Sequence, residues 1–310
     1  MLSHGGSFFW WCALIYNKQP LTTNAQVDLL LQRGMLGDPD QIRSRLEAVN
    51  YYRLSGYWYP FRNPDDTFKA GTTFEKVWER YAFDRRLRLL VMDAIERIEI
   101  AVRSQLAYHH AHLHGAFGYA VDPTSLPKLA GDRHAVFVGR VREETGRSHE
   151  RFVRHFAERY GDTHQDLPVW MATEVMSFGT VLTFYRSAPH QVKRAIADVF
   201  GMPDMVFSSW LLTLNTVRNI CAHHSRLWNR ESGVKPLMPR VREYPDWHAP
   251  VVIENNRIFA VLTICRHCLA RVAPQSNWAI RMGNLFREFP AIPQGEMGFP
   301  ANWKACPIWM

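Results

Sequence analysis

Apolar residues recur along this chain at steps of three and four, the spacing of one face of an α-helix. The longest such run lies between Phe83 and about Leu113, where Leu87, Val91, Ile95, Ile98, Val102 and Leu106 fall on one stripe. Off the stripe lie Arg85, Arg88, Glu96, Glu99 and Arg103. Glu99 and Arg103 form an i,i+4 pair in the favourable order, worth roughly 0.2–0.5 kcal/mol if exposed. These charges read either as a solvated face or, with Glu96 and Arg103 two turns apart, as the lining of a polar cleft.

Shorter helical segments flank this run. "LTTNAQVDLLLQRG" offers Thr22, Thr23 or Asn24 as caps and Gly34 as a stop, and "GDPDQIRSRLEAVN" restarts behind Asp38 and Pro39. "YYRLSGYWYPFR" is dense in aromatics. It reads as the plug of a small N-terminal subdomain or as a stacking surface for bases, helped by Arg53 and Arg62. Between Gly115 and Gly146, prolines and glycines predict loops. Helical patterning returns at "RFVRHFAERYG", at "PVWMATEVMSFGTVLTFYR" and, after Asp204, at "MVFSSWLLTLNTVRNICAHHSRLW". A last long helix is expected from about Ile253 to Ala273, and "MGFPANWKACPIW" predicts an extended arm that docks by its aromatics. Strand signals are scarce, so the fold class is all-α. The expected organisation is an extension without assigned role (1–15), a helical and aromatic subdomain (16–72), a main α-helical domain (73–285) and a docking tail (286–310).

Composition narrows the function classes. With 47% hydrophobic and 21% charged residues the chain is an ordinary globular protein, and a net charge of +8 favours a polyanionic partner. Of the 37 basic residues 30 are arginine, whose planar forks suit phosphate oxygens, and this inclines the partner towards nucleic acid. Five scattered cysteines fit a reduced, cytoplasmic protein better than a disulfide scaffold. The apolar start "FFWWCALIY" is too short to cross a bilayer, and no other run approaches eighteen uncharged apolar residues, so no membrane partner is expected.

Three polar clusters compete as sites. Cys265 and Cys268 form a C-x-x-C, yet no second ligand pair accompanies it, and both sit in the apolar run "IFAVLTICRHCLA"; we read them as core thiols. The run "HHAHLH" closes the long helix, where polar or cationic side chains suit the helix dipole; His110 and His114 could chelate, but no nearby carboxylate or cysteine completes a set. No metal or cofactor is expected. The third cluster is "RNICAHHSRLWNR", in which Arg218 precedes His223 by five residues near the end of a periodic helix. Chance supplies roughly one arginine-to-histidine spacing of this kind in such a chain, and Arg159 to His164 is a second case that reads as a turn. Arg218 and His223 project about 140° apart, whereas Asn219 and His223 share a face. A histidine moves protons near neutral pH and an arginine holds charge on a phosphate, which is what RNA cleavage without a metal requires. The plain alternative is His223 as a helix-end cap and Arg218 as a surface ion pair.

"YNKQPLT", "NYYRLSGYWYPFR", "YAFDRRLRLLVMDAIERIEIAVRSQLAY", "PVWMATEVMSFGT", "RNICAHHSRLWNR" and "MGFPANW" resemble, in order, the blocks of the Abi-like family of AbiD/AbiF abortive-infection proteins. The resemblance runs from about Tyr16 to the end and places the chain in the HEPN superfamily of α-helical ribonuclease-like domains. It implies a HEPN-like helical bundle in which Arg218 and His223 are catalytic, Asn219 is the polar residue after the arginine, and Glu96 or Glu99 is the acidic partner from the earlier helix. Arg53, Arg62, Arg103, Arg226 and Arg230 are the arginines expected to touch RNA. One histidine is acid or base at a time, so a two-fold homodimer that apposes two motifs would supply both roles. The implied activity is a metal-independent endoribonuclease in defence against phage. Its rivals are an RNA-binding module that holds a structured small RNA without cutting, and a helical scaffold.

Overall fold

The computed structural model describes residues 16–129 and 131–310. The extension expected at 1–15, with Cys12, lies outside the described residues. Thirteen α-helices and no named strand occur among the described residues, so the fold is all-α. In chain order they are α1 (Thr23–Gln32), α2 (Pro39–Val49), α3 (Tyr51–Trp58), α4 (Phe74–His114), α5 (Gly118–Val121), α6 (Asp132–Arg147), α7 (Arg151–Tyr160), α8 (Val169–Val175), α9 (Phe178–Ser187), α10 (His190–Val199), α11 (Asp204–Ala222), α12 (Ile258–Val272) and α13 (Trp278–Glu288). No single helix among the described residues is long and apolar enough to cross a membrane. The chain divides into two compact units, Met1–Trp78 and Glu79–Met310.

In the first unit local caps set the turns. Thr22 caps α1 by accepting from the Ala25 amide, and Asp38 caps α2 behind a proline at its first position. Asn50 ends α2 at φ 73° and starts α3 by accepting from the Tyr52 amide, so one residue serves two helices. Val27, Leu30, Ile42, Leu46 and Leu54 fill the core. The aromatic segment divides between its two readings: Tyr57 and Trp58 are buried, with Trp58 edge-on to Tyr51 and Phe68, while Tyr52 and Tyr59 are 86% and 69% exposed.

The second unit is organised by the stripe on α4, all six members of which are fully buried. The helix begins at Phe74, nine residues before the expected start, because the Thr73 hydroxyl accepts from the Lys76 amide and caps it. The loops expected between Gly115 and Gly146 give way to the sixteen-residue α6, which inserts only His134, Phe137, Val138 and Val141 and so shows little periodicity. The pattern around Pro168 is two helices, α8 and α9, broken at Met176 and restarted by the Ser177 cap. α9, α10 and α12 pack on α11. α12 is buried on nearly every face, and Phe299, Trp303 and Trp309 close over its Phe259, with the Trp309 indole donating to the Thr263 hydroxyl at 3.0 Å.

The two motifs set aside in the sequence are structural here. Cys265 and Cys268 are fully buried, and burial pushes both thiols well above their usual range. His267 between them bonds to the Phe200 carbonyl at 2.8 Å. The histidine run departs from its expected role as a polar helix end, because His110 is fully buried, ring to ring with His114 at 4.8 Å. Neither nitrogen of His110 has a hydrogen bond of normal geometry. Burial, and then the neighbouring His114, push its pKa down to about 4 against the opposing Ser125 backbone and Asp122.

Between pH 6.5 and about 4 the unfolded chain therefore binds a proton on His110 that the folded chain refuses, and stability is lost as pH falls through that window. The loss assigned to this residue is up to about 3 kcal/mol. In urea unfolding at pH 7 and pH 4, His110→Leu should lose correspondingly less stability on acidification than the parent protein. Equal losses in the two proteins would show that His110 is not the group responsible.

Candidate active site at the end of α11

α11 separates its faces cleanly. Phe207, Trp210, Leu211, Leu214, Val217 and Cys221 are buried, whereas Asn219 is exposed and Arg218 is half-buried. The helix stops at Ala222, one residue short of the histidine pair. The His224 amide bonds to the Cys221 carbonyl at 3.0 Å and the Ser225 amide to the Ile220 carbonyl at 2.9 Å, the two bonds of a Schellman cap. Such a cap needs one left-handed residue, usually glycine, and here His224 takes it at φ 55°. His223 is the last residue before that reversal, exposed, with its own amide bonded to the Asn219 carbonyl at 3.0 Å. Arg218 Nη1 lies 3.4 Å from the Asn219 side-chain oxygen. Arg218, Asn219 and His223 thus share one exposed helix end. His224 is also exposed: a continued 100° helical step would carry it towards the apolar side or the next segment, but the reversal has already replaced that step.

The segment after the histidines is fixed from α4. Asp84, fully buried, accepts from the Leu227 amide at 3.2 Å and from the Trp228 amide at 2.6 Å. The same carboxylate pairs with Arg88 one turn on, and Arg88 also points to the Ser225 carbonyl at 3.4 Å. A carboxylate removed from water needs such partners to remain charged, and each charge-assisted bond contributes roughly 1.5–3 kcal/mol. Burial and the Asp84 charge together push the Cys221 thiol up to about 12, which leaves it protonated beside the site. Farther along, Asn229, at φ 49°, donates to Glu296 at 2.8 Å and accepts from Arg257 at 3.3 Å. The Arg80 guanidinium covers the buried Trp228 ring at 4.8 Å.

The remaining expected site residues lie elsewhere or are already engaged. Glu96 is exposed. Glu99 pairs with Arg103, which also donates to the Thr173 carbonyl on α8 and is only 11% exposed, so this pair ties α4 to α8. Among the described residues no hydrogen bond or ion pair joins Glu96 or Glu99 to Arg218 or His223; the carboxylate that α4 sends to the motif's segment is Asp84. Arg226 is half-buried, and Arg230 is exposed with Nη1 3.5 Å from the Arg226 carbonyl. In the first unit Arg53 is exposed and Arg62 pairs with Asp66. Asp84 had a signal in the sequence: it occupies a stripe position, three residues before Leu87, with an arginine four residues on. A charge in phase with a buried stripe requires a buried partner.

A family model described as Abi-like protein matches residues 44–229, more than half of the chain. The chain belongs to the Abi-like family. No curated protein and no solved structure matches it. The Abi-like stretch ends on Asn229, so it contains Asp84, Arg88 and all of the motif except its last residue, Arg230. Glu296 and Arg257, which hold Asn229, lie beyond it.

Two measurements test this construction. Asp84→Ala leaves Arg88 buried without its partner and should cost about 3–5 kcal/mol in urea unfolding. A double variant with Arg88→Met should recover part of that loss, and a single-variant cost below about 1 kcal/mol would contradict a buried ion pair. At His224 the backbone sets the outcome: His224→Gly should be more stable than His224→Ala by roughly 1 kcal/mol. Equal melting temperatures for the two would mean that the left-handed turn is not present in solution.

Proposed function

We propose that this Abi-like protein is a metal-independent endoribonuclease of the HEPN type, acting in abortive infection against phage. The observation that carries the reading is that the half-buried Arg218 and the exposed Asn219 and His223 share one helix end, whose following segment is fixed by bonds to Asp84 and Arg88. Proton transfer needs an imidazole open to substrate on a fixed backbone, and at His223 the side chain is exposed while the amide is bonded to the Asn219 carbonyl. In the proposed reaction the 2′-OH of the RNA attacks the adjacent phosphate. The products are a 2′,3′-cyclic phosphate and a 5′-OH. His223 acts as base or acid, and Arg218 bears the charge that develops on the pentacoordinate phosphorus. Asn219, bonded to Arg218, limits where the guanidinium points.

One imidazole per chain covers one of the two proton transfers. We therefore place the active form as a homodimer with its two helix ends apposed, so that His223 of each copy takes a different role. Arg226 and Arg230 continue the basic surface beyond the motif and are proposed to hold phosphates of the bound strand. In the first unit, Arg53 and the exposed rings of Tyr52 and Tyr59 are proposed as the contacts for unpaired bases.

The test is cleavage of total RNA in EDTA, with end mapping of the products and RNA affinity measured in parallel. His223→Ala should lose about 10²–10⁴-fold in rate while affinity is retained, because binding is spread over many arginines. His224→Ala should cut as well as the parent protein. If His224→Ala is the inactive variant, the proton-transfer residue is misassigned. If the parent protein binds RNA and leaves it intact, the protein is a binding module and the nuclease reading falls.

A further inference from the structure

A second basic site lies at the opposite end of α11. A cavity of about 530 Å³ opens there between five segments of the chain, one of them the loop after α11 with Leu237. Lys128 comes from the loop before α6, Arg186 from the last turn of α9, His190 and Lys193 from the first turns of α10, and Asp204 and Ser208 from the start of α11. Only seven residues of the chain are lysine, and two of them meet in this cavity. Lys193 is 9% exposed, and the exposed Lys128 lines the same cavity, close enough for its charge to act on the Lys193 ammonium. Its carboxylate partner, Asp204, is 3.9 Å away and is shared with His190 at 3.7 Å.

This arrangement is costly when empty. Burial, and then contact with Lys128, hold the Lys193 ammonium below the usual lysine range, and the distant Asp204 only partly restores it. Like charges in contact within a partly buried cavity repel, and a bound anion removes the repulsion and supplies the missing acceptors. Three fixed cations, Lys128, Arg186 and Lys193, face one carboxylate. The excess of two charges matches a phosphate monoester, which carries about −1.5 to −2 at neutral pH. A backbone phosphodiester carries one charge, so it offsets only half of that excess.

We propose that this cavity binds the terminal phosphate of a small phosphorylated ligand such as a nucleoside monophosphate, with Lys193 and Lys128 on the phosphate oxygens and Arg186 at the rim. Asp204 and Arg218 are fourteen residues apart on one helix, about 21 Å of rise, so the site shares no residue with the proposed nuclease centre and stands independently of that reading.

Calorimetry on the full-length protein tests it with adenosine 5′-monophosphate, adenosine, inorganic phosphate and a short RNA bearing hydroxyls at both ends. Adenosine 5′-monophosphate and inorganic phosphate should bind, adenosine should not, and Lys193→Met should weaken both phosphates at least tenfold. Lys193→Met removes a buried charge, so its melting temperature should equal or exceed that of the parent protein; this separates lost binding from lost fold. Arg218→Ala should bind adenosine 5′-monophosphate as the parent does. Unchanged phosphate binding in Lys193→Met, or no phosphate binding in the parent at millimolar concentration, overturns the site. Displacement of adenosine 5′-monophosphate by the hydroxyl-ended RNA would assign the cavity to the RNA path and overturn the monoester.

Discussion

A carboxylate with no access to water holds the exposed end of α11 in register. Asp84 sits within the apolar stripe of α4 and balances its charge against Arg88, one turn on, and against two backbone amides from the segment that follows the histidine pair. Everything downstream inherits that geometry. The Schellman reversal at His224 points the chain back towards α4, and the amides of Leu227 and Trp228 then reach Asp84. A hydrophobic residue at position 84 could pack against α4's neighbours, but it would leave those amides in a dry environment without acceptors. The buried charge therefore costs solvation and in return fixes one loop conformation.

The same economy governs many of the arginines. Arg103 joins α4 to α8, Arg142 makes a bidentate pair with Asp166, and Arg97 and Arg281 share Asp93. These side chains tie elements of the fold together, so the count of 30 arginines overstates the number of cations free to meet a polyanion, although each pair cancels and the net charge stays +8.

What could be read from the sequence follows from how strongly each element buries a face. The α4 stripe was legible residue by residue, because six apolar positions in phase leave no alternative. α6 was not, since only a quarter of its sixteen residues are buried and polar side chains separate them. The spacing of Arg218 and His223 and the approach of a helix end at His223 were visible, but the reversal after it was not: it depends on a left-handed His224 where the sequence offers no glycine. Asp84 was half-legible: its place on the stripe with Arg88 four residues on called for a buried partner, but the amides of Leu227 and Trp228, more than 140 residues away, carry no side-chain signature.

The closing of Phe299, Trp303 and Trp309 over α12 has a consequence for the order of synthesis. α12 is among the most deeply buried helices of the larger unit, yet part of its cover is made fifty residues after Phe259. At ordinary elongation rates that interval is roughly 3–10 s. Throughout it α12 has its contacts with α11 but lacks part of the aromatic cover that follows it in the chain. The larger unit thus completes its core late, and a nascent chain that pauses in this interval presents a surface suited to a chaperone.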